Sequence, residues 1–165
     1  MARPHTLAEV ARRRRAGEEL SVLLRECLDE FYEALPTGVA AVCIADEPEP
    51  LADPQEHALL GAVGEHLARR WALAIPAWTN DPSRFLRRPY FTTPLEDLKA
   101  LLIAESPIAF RRRLIFTEAE PLRRARMPVS ALAQNSLGDD KSRAGPRGVF
   151  AAPRDPYSHC CPLPA

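Results

Sequence analysis

In Asp53-Pro54, Asp81-Pro82, Thr93-Pro94 and Ser106-Pro107 a short polar residue stands directly before a proline. Proline has no amide hydrogen and a fixed φ, so it suits the first helical position, while the polar residue before it can cap the open amides of the first turn. Proline also disfavours helical backbone in the residue it follows. Each pair therefore marks a helix start as well as a break. Starts recurring this often leave little room for long strands, and they predict short helices joined by tight connections.

The hydrophobic pattern fills in the helices. Thr6 and Glu9 stand at capping-box spacing. Beyond Gly17, Leu20, Leu23, Leu24, Cys27, Leu28, Phe31 and Leu35 recur as one helical face, which Pro36 and Gly38 end; Gly17 divides this region into a short helix and a long one. Residues 36–52 hold an apolar run and a proline-broken acidic loop, read as a helical turn or an extended connector. From Asp53, with Glu56 three residues on, Leu59, Leu60, Val63, Leu67 and Trp71 give one apolar face, ending near Ala72. Thr93-Pro94 with Glu96 starts a helix carrying Leu95, Leu98, Leu101 and Leu102, and Ser106-Pro107 starts another short one. Thr117 and Glu120 repeat the capping-box spacing ahead of Leu122 and "RRAR". The expected fold is all-α, a compact bundle of five or six short-to-medium helices.

Past Met127 the pattern lapses into proline, glycine and serine, too poor in large apolar side chains to offset the entropy of ordering. The expected organisation is a disordered N-terminus over 1–5, a helical domain over 6–127 and a disordered low-complexity tail over 128–165. The tail's Arg/Pro/Ala/Gly flavour suggests GC-rich DNA read out of an ancestral frame, which the gene's nucleotide sequence decides. Of the 165 residues, 22 are basic and 22 acidic, so no global positive field holds a polyanion, and nucleic acid would need a local patch. No apolar run approaches the roughly 18 residues of a membrane span, and a cytoplasmic location is expected. Cys27 and Cys43 read as small buried hydrophobes. Cys160 and Cys161 sit side by side after His159 without the paired spacing of a zinc site, which fits a reduced compartment.

No nucleophile elbow, phosphate-binding glycine loop or metalloprotease motif is present, and neither a cofactor nor a metal is expected. His57 and His66, nine residues apart on one helix, point to opposite sides and read as solvated. Asp46, Glu47, Glu49 and Asp53 read as a solvated loop or one that pairs with arginines. Arg12–Arg15 wind around a helix, and Arg111–Arg113 spread over about 200°, so neither run forms one flat basic face. Phe110, Leu114 and Phe116 must pack, which carries at least one of the three arginines toward neighbouring helices. In "PAWTNDPSRFLRRPYF" the rings Trp78, Phe85, Tyr90 and Phe91 alternate with Arg84, Arg87 and Arg88. Packing over helix ends accounts for much of this patch, and the same residue types anchor protein interfaces. The candidate partner-binding residues are Trp78, Arg84, Arg87, Arg88, Arg111 and Arg112.

The ordered blocks "TLAEVARRRRAGEELSVLLRECLDEF", "IADEPEPLADPQEHALLGAVGEHLA", "PAWTNDPSRFL" and "SPIAFRRRLIFTEAEPLRRA" resemble a family of small, mostly uncharacterised actinobacterial helical proteins. The likeness spans roughly residues 6–126, and the chain departs from it after "PLRRA". Such proteins look like companions of predicted nucleotidyltransferase-type proteins in toxin-antitoxin-like gene pairs. The resemblance implies a non-enzymatic helical protein-interaction module, antitoxin-like, that binds and regulates a partner encoded nearby by covering its active site. The alternatives are a DNA-binding transcriptional regulator and an enzyme without a recognisable motif.

Overall fold

A computed structural model describes residues 2–128; the expected tail, with Cys160 and Cys161, lies outside the described residues. Residues up to Pro128 belong to one compact unit. It is mostly helical, with α1 (Leu7–Arg15), α2 (Leu20–Ala34), a single turn α3 (Val42–Ala45), the long α4 (Pro54–Arg70), α5 (Lys99–Glu105) and α6 (Ile108–Arg111). The one addition to an all-α reading is a two-residue parallel pairing of β1 (Tyr90–Phe91) with β2 (Ile115–Phe116), register Tyr90 to Ile115 and Phe91 to Phe116. Among the described residues no helix is long and apolar enough to cross a membrane.

The helix starts follow the cap chemistry where the cap is local. The amide of Glu9 donates to Thr6 Oγ1 at 3.1 Å, and Glu9 returns a carboxylate oxygen to the His5 amide at 3.1 Å. Gly17, at φ 101°, separates α1 from α2 in a backbone region that side chains avoid. Leu7, Val10 and Ala11 then meet the α2 face of Leu20, Leu23, Leu24, Cys27 and Phe31, all buried. Burial pushes the Cys27 thiol up to about 12, so it remains a protonated apolar group. Cys43 and Ile44 are buried on α3, the helical alternative for that stretch. Residues 2–5 carry no regular secondary structure, yet disorder does not describe them: Pro4 is buried, and Arg3 and His5 both reach Glu30, at 3.3 and 3.1 Å.

Helix α4 is the centre of the fold. Asp53 caps it by accepting from the Gln55 amide at 2.8 Å, with Pro54 first in the helix. Its burial is not confined to one apolar face, because small residues bury a second side. A Cβ on Gly61 would stand 3.0 Å from Arg113 Nε and 3.2 Å from the Arg84 side chain; one on Gly64 would stand 2.6 Å from the Trp78 ring. Glycine inside a helix costs about 1 kcal/mol relative to alanine. Here it admits three large side chains against the helix backbone. The helix ends where Ala72 turns left-handed, at φ 52°, and Leu73 donates its amide back to the Ala68 carbonyl at 2.8 Å.

Three expectations fail in the C-terminal half. The Thr93-Pro94 helix starts late, as a 3-10 turn over Glu96–Leu98 leading into α5, and of its leucines only Leu102 is buried. Ser106 does not cap α6. Its hydroxyl accepts from the Thr117 amide at 2.8 Å across eleven residues, tying the end of β2 to the end of α5. Thr117 and Glu120 start no helix, because Thr117 is held by Ser106 and the Glu120 carboxylate accepts from Arg70 at 3.0 Å. Between α6 and β2 the chain reverses through Leu114 at φ 59°, and its carbonyl accepts from Tyr90 at 2.8 Å.

Candidate functional site

The most concentrated chemistry lies along α4. Glu65 is wholly buried and takes three arginines. Its Oε1 accepts from Arg69 Nε at 2.7 Å and Arg112 Nη1 at 2.8 Å, and its Oε2 from Arg113 Nη1 at 2.6 Å. Burial alone would push the Glu65 carboxyl up, but the guanidinium donors outweigh it and hold the group below its ordinary value. Arg113 is fully buried, donates also to the Ala109 and Thr79 carbonyls, and lies 4.8 Å from the Phe85 ring. Burial lowers its pKa against the pull of Glu65. The arrangement binds α6, the 77–80 turn and α4 together, with Arg113 Nε left buried and without a hydrogen-bond partner.

That geometry sorts the six residues read as partner-binding. Trp78 and Arg84 are buried and are corrected to packing roles. The Trp78 indole donates to the Ile44 carbonyl at 3.1 Å, and the Arg84 guanidinium stacks 4.8 Å over it while donating to the Pro48 carbonyl at 2.6 Å. Arg112 is half-exposed but committed, to Glu65 and to Asn80 Oδ1 at 3.1 Å. Arg87, Arg88 and Arg111 are exposed and meet no carboxylate among the described residues; the first two line a shallow cleft of about 530 Å³ with Ser83 and Tyr90. The sequence reading missed Arg113 as the individual anchor, since nothing within "RRR" singles it out. The signal was Gly61, fifty-two positions earlier, where the helix opens space for it.

Both histidines are buried rather than solvated. His57 Nε2 lies 3.0 Å from Ser83 Oγ, Ser83 donates to Asp81 at 2.6 Å, and the Leu51 amide points at His57 Nδ1 from 3.4 Å. The serine thus stands between histidine and aspartate. In a nucleophilic triad the histidine occupies the middle and takes the serine proton; here Asp81 accepts that proton's hydrogen bond, and the order stabilises a turn. His66 packs edge-on against Phe110, ring centres 5.5 Å apart, and burial depresses its pKa to about 4.

The basic run Arg12–Arg15 is neutralised pair by pair. Arg12 meets Glu9, Arg13 grips Glu18 with two bonds of 2.9 and 2.8 Å, Arg14 reaches Glu56 at 2.8 Å, and Arg15 pairs with Glu49. Glu47 stands 3.7 Å from Arg84, so the acidic loop serves arginines, as one reading of it expected.

Several large apolar side chains also face outward. Leu95, Leu98, Leu101, Ile103 and Ile108 are exposed within fourteen residues, at 58%, 38%, 49%, 46% and 53%. The other large apolar side chains exposed among the described residues, Val22, Val39, Val42 and Ile75, are scattered over three regions. The helix expected to carry Leu95, Leu98, Leu101 and Leu102 thus presents, among the described residues, the largest local concentration of exposed large apolar side chains. Comparison with protein-family models, with curated proteins and with solved structures finds no match to the chain.

Proposed function

We propose that this chain is a non-enzymatic helical protein-interaction module, antitoxin-like, that binds and regulates a partner protein encoded nearby, in a reduced cytoplasmic setting. The observation that carries the reading is the exposed apolar segment 95–108, which a lone domain has reason to bury. Its placement on an outlying helix supports a contact made with another molecule. Arg87, Arg88 and Arg111, exposed and with no carboxylate partner among the described residues, are available as polar contacts elsewhere on the surface. Regulation follows by occlusion, as a docked domain covers the partner's working surface. The DNA-binding alternative loses support because each residue of its most obvious basic run is already paired within the domain.

The test is affinity purification of the full chain from its native host, beside a Leu98→Ser/Leu101→Ser variant. The expected result is recovery of a protein encoded next to this gene by the unaltered chain, and its loss with the variant. Recovery of no partner, or equal recovery by both chains, refutes the reading.

A further inference from the structure

The exposed segment has a charge as well as an apolar character. Leu98, Leu101 and Glu105 follow at three- and four-residue spacing, and Asp97, Leu101 and Glu105 at four, so these side chains share one flank of the α5 segment. Leu102 and Ser106, both buried, hold the opposite side to the domain. Neither Asp97 nor Glu105 meets a basic residue among the described residues. The segment's one cation, Lys99, is occupied: it donates to Glu96 at 2.6 Å and stands 5.1 Å from the Phe91 ring. Two open carboxylates therefore flank two exposed leucines, with no cation among the described residues at ion-pair distance from them.

Building on the interaction-module reading, we propose that this flank docks a basic amphipathic helix of the partner protein, carrying leucine-like side chains at three- and four-residue spacing beside lysines or arginines. The leucines supply the desolvated centre and the carboxylates set register and speed encounter. A second copy of this chain is the poorer occupant. A two-fold contact sets the same patch on both sides, which, for an antiparallel crossing centred on Leu101, brings Asp97 of each copy against Glu105 of the other. Like charges so placed repel. Seven helical residues span only about 10 Å, so the contact belongs to the small, transient class.

The probe is a fluorescent amphipathic peptide of about 18 residues, long enough to hold a helix, built of leucine and lysine at these spacings, with a second peptide bearing glutamate for each lysine. Both are titrated by anisotropy into the full chain. The lysine peptide binds the unaltered chain, and binding weakens by at least about tenfold for Leu98→Ser/Leu101→Ser and for Asp97→Lys/Glu105→Lys, while the charge-reversed chain prefers the glutamate peptide. All four positions are exposed, and unchanged melting temperatures verify that the variants fold. No binding of the lysine peptide, or equal binding by all three chains, overturns the proposal. So does a dimer in sedimentation that Leu98→Ser/Leu101→Ser dissolves, since the occupant is then a second copy. Loss of host-partner capture with the serine variant but not with the charge reversal overturns the basic-helix chemistry and leaves the interaction module standing.

Discussion

Phe110 and Arg112 are two residues apart on the same short turn, and they contribute to stability in different ways. Phe110 is buried against His66, whereas Arg112 keeps about a third of its side chain in water. Phe110→Ala should lower stability by about 3–5 kcal/mol through the lost burial and the cavity left behind, and Arg112→Ala by much less; chemical denaturation of both variants compares them. Gly64→Ala is a sharper test, because helix propensity alone would raise stability by about 1 kcal/mol. The new methyl group would sit 2.6 Å from the Trp78 ring. Overpacking of this kind costs about 1–3 kcal/mol, so the expected sign is a lowered melting temperature, and a raised one refutes the close approach. At this scale the sequence is least legible. Arg12–Arg15 and Arg111–Arg113 look alike as text, yet the first run is paired at the surface and the second sends Arg113 to full burial. The difference is written in glycines on another helix.

At the scale of elements, local chemistry was readable and long-range chemistry was not. Asp53 and Thr6 cap the helices they precede because their partners lie two and three residues away. Ser106 and Thr117 carry equally good cap signatures, but they bond each other across the β2 segment, and a single hydroxyl cannot serve both uses. The α5 leucines match a core pattern because spacing reports only that one face is apolar; it does not report whether another element arrives to cover it. The end of α4 offers a stability prediction. Ala72 holds a left-handed conformation at the position where glycine is the usual occupant. That strain is about 1–2 kcal/mol for a residue with a Cβ, part of which glycine's looser unfolded chain gives back. Ala72→Gly should therefore raise the melting temperature by the equivalent of about 0.5–1 kcal/mol, measured by thermal unfolding.

For the whole molecule, acid is the expected weak point. Burial, with the Arg70 charge adding to it, depresses His66 from 6.5 to about 4, and burial with the Arg84 charge lowers His57 as well. The unfolded chain therefore takes up these protons first as pH falls. Stability is fully present above about pH 6.5 and is lost on the way down to about pH 4, with His66 contributing about 3 kcal/mol of the loss. Below that range the Glu65 carboxyl, held low by its arginines, adds a further loss in the same direction. Melting temperatures from pH 7 to 4.5 should decline, and His66→Gln should flatten the decline even if it starts from a lower value. An unchanged slope in that variant assigns the acid sensitivity elsewhere.

The α2 helix anchors both flanks of the domain within little more than one turn. Arg3 and His5 reach Glu30, while Arg124 grips Asp29 with two bonds of 3.0 and 2.8 Å, and Arg126 pairs with Glu33. Residues 3–5 and 124–126, which bracket the described domain, thus meet the same stretch of α2. A circular permutant that joins these bracketing segments and opens the exposed Thr37-Gly38 turn should therefore keep the fold, which thermal unfolding of the permuted domain checks.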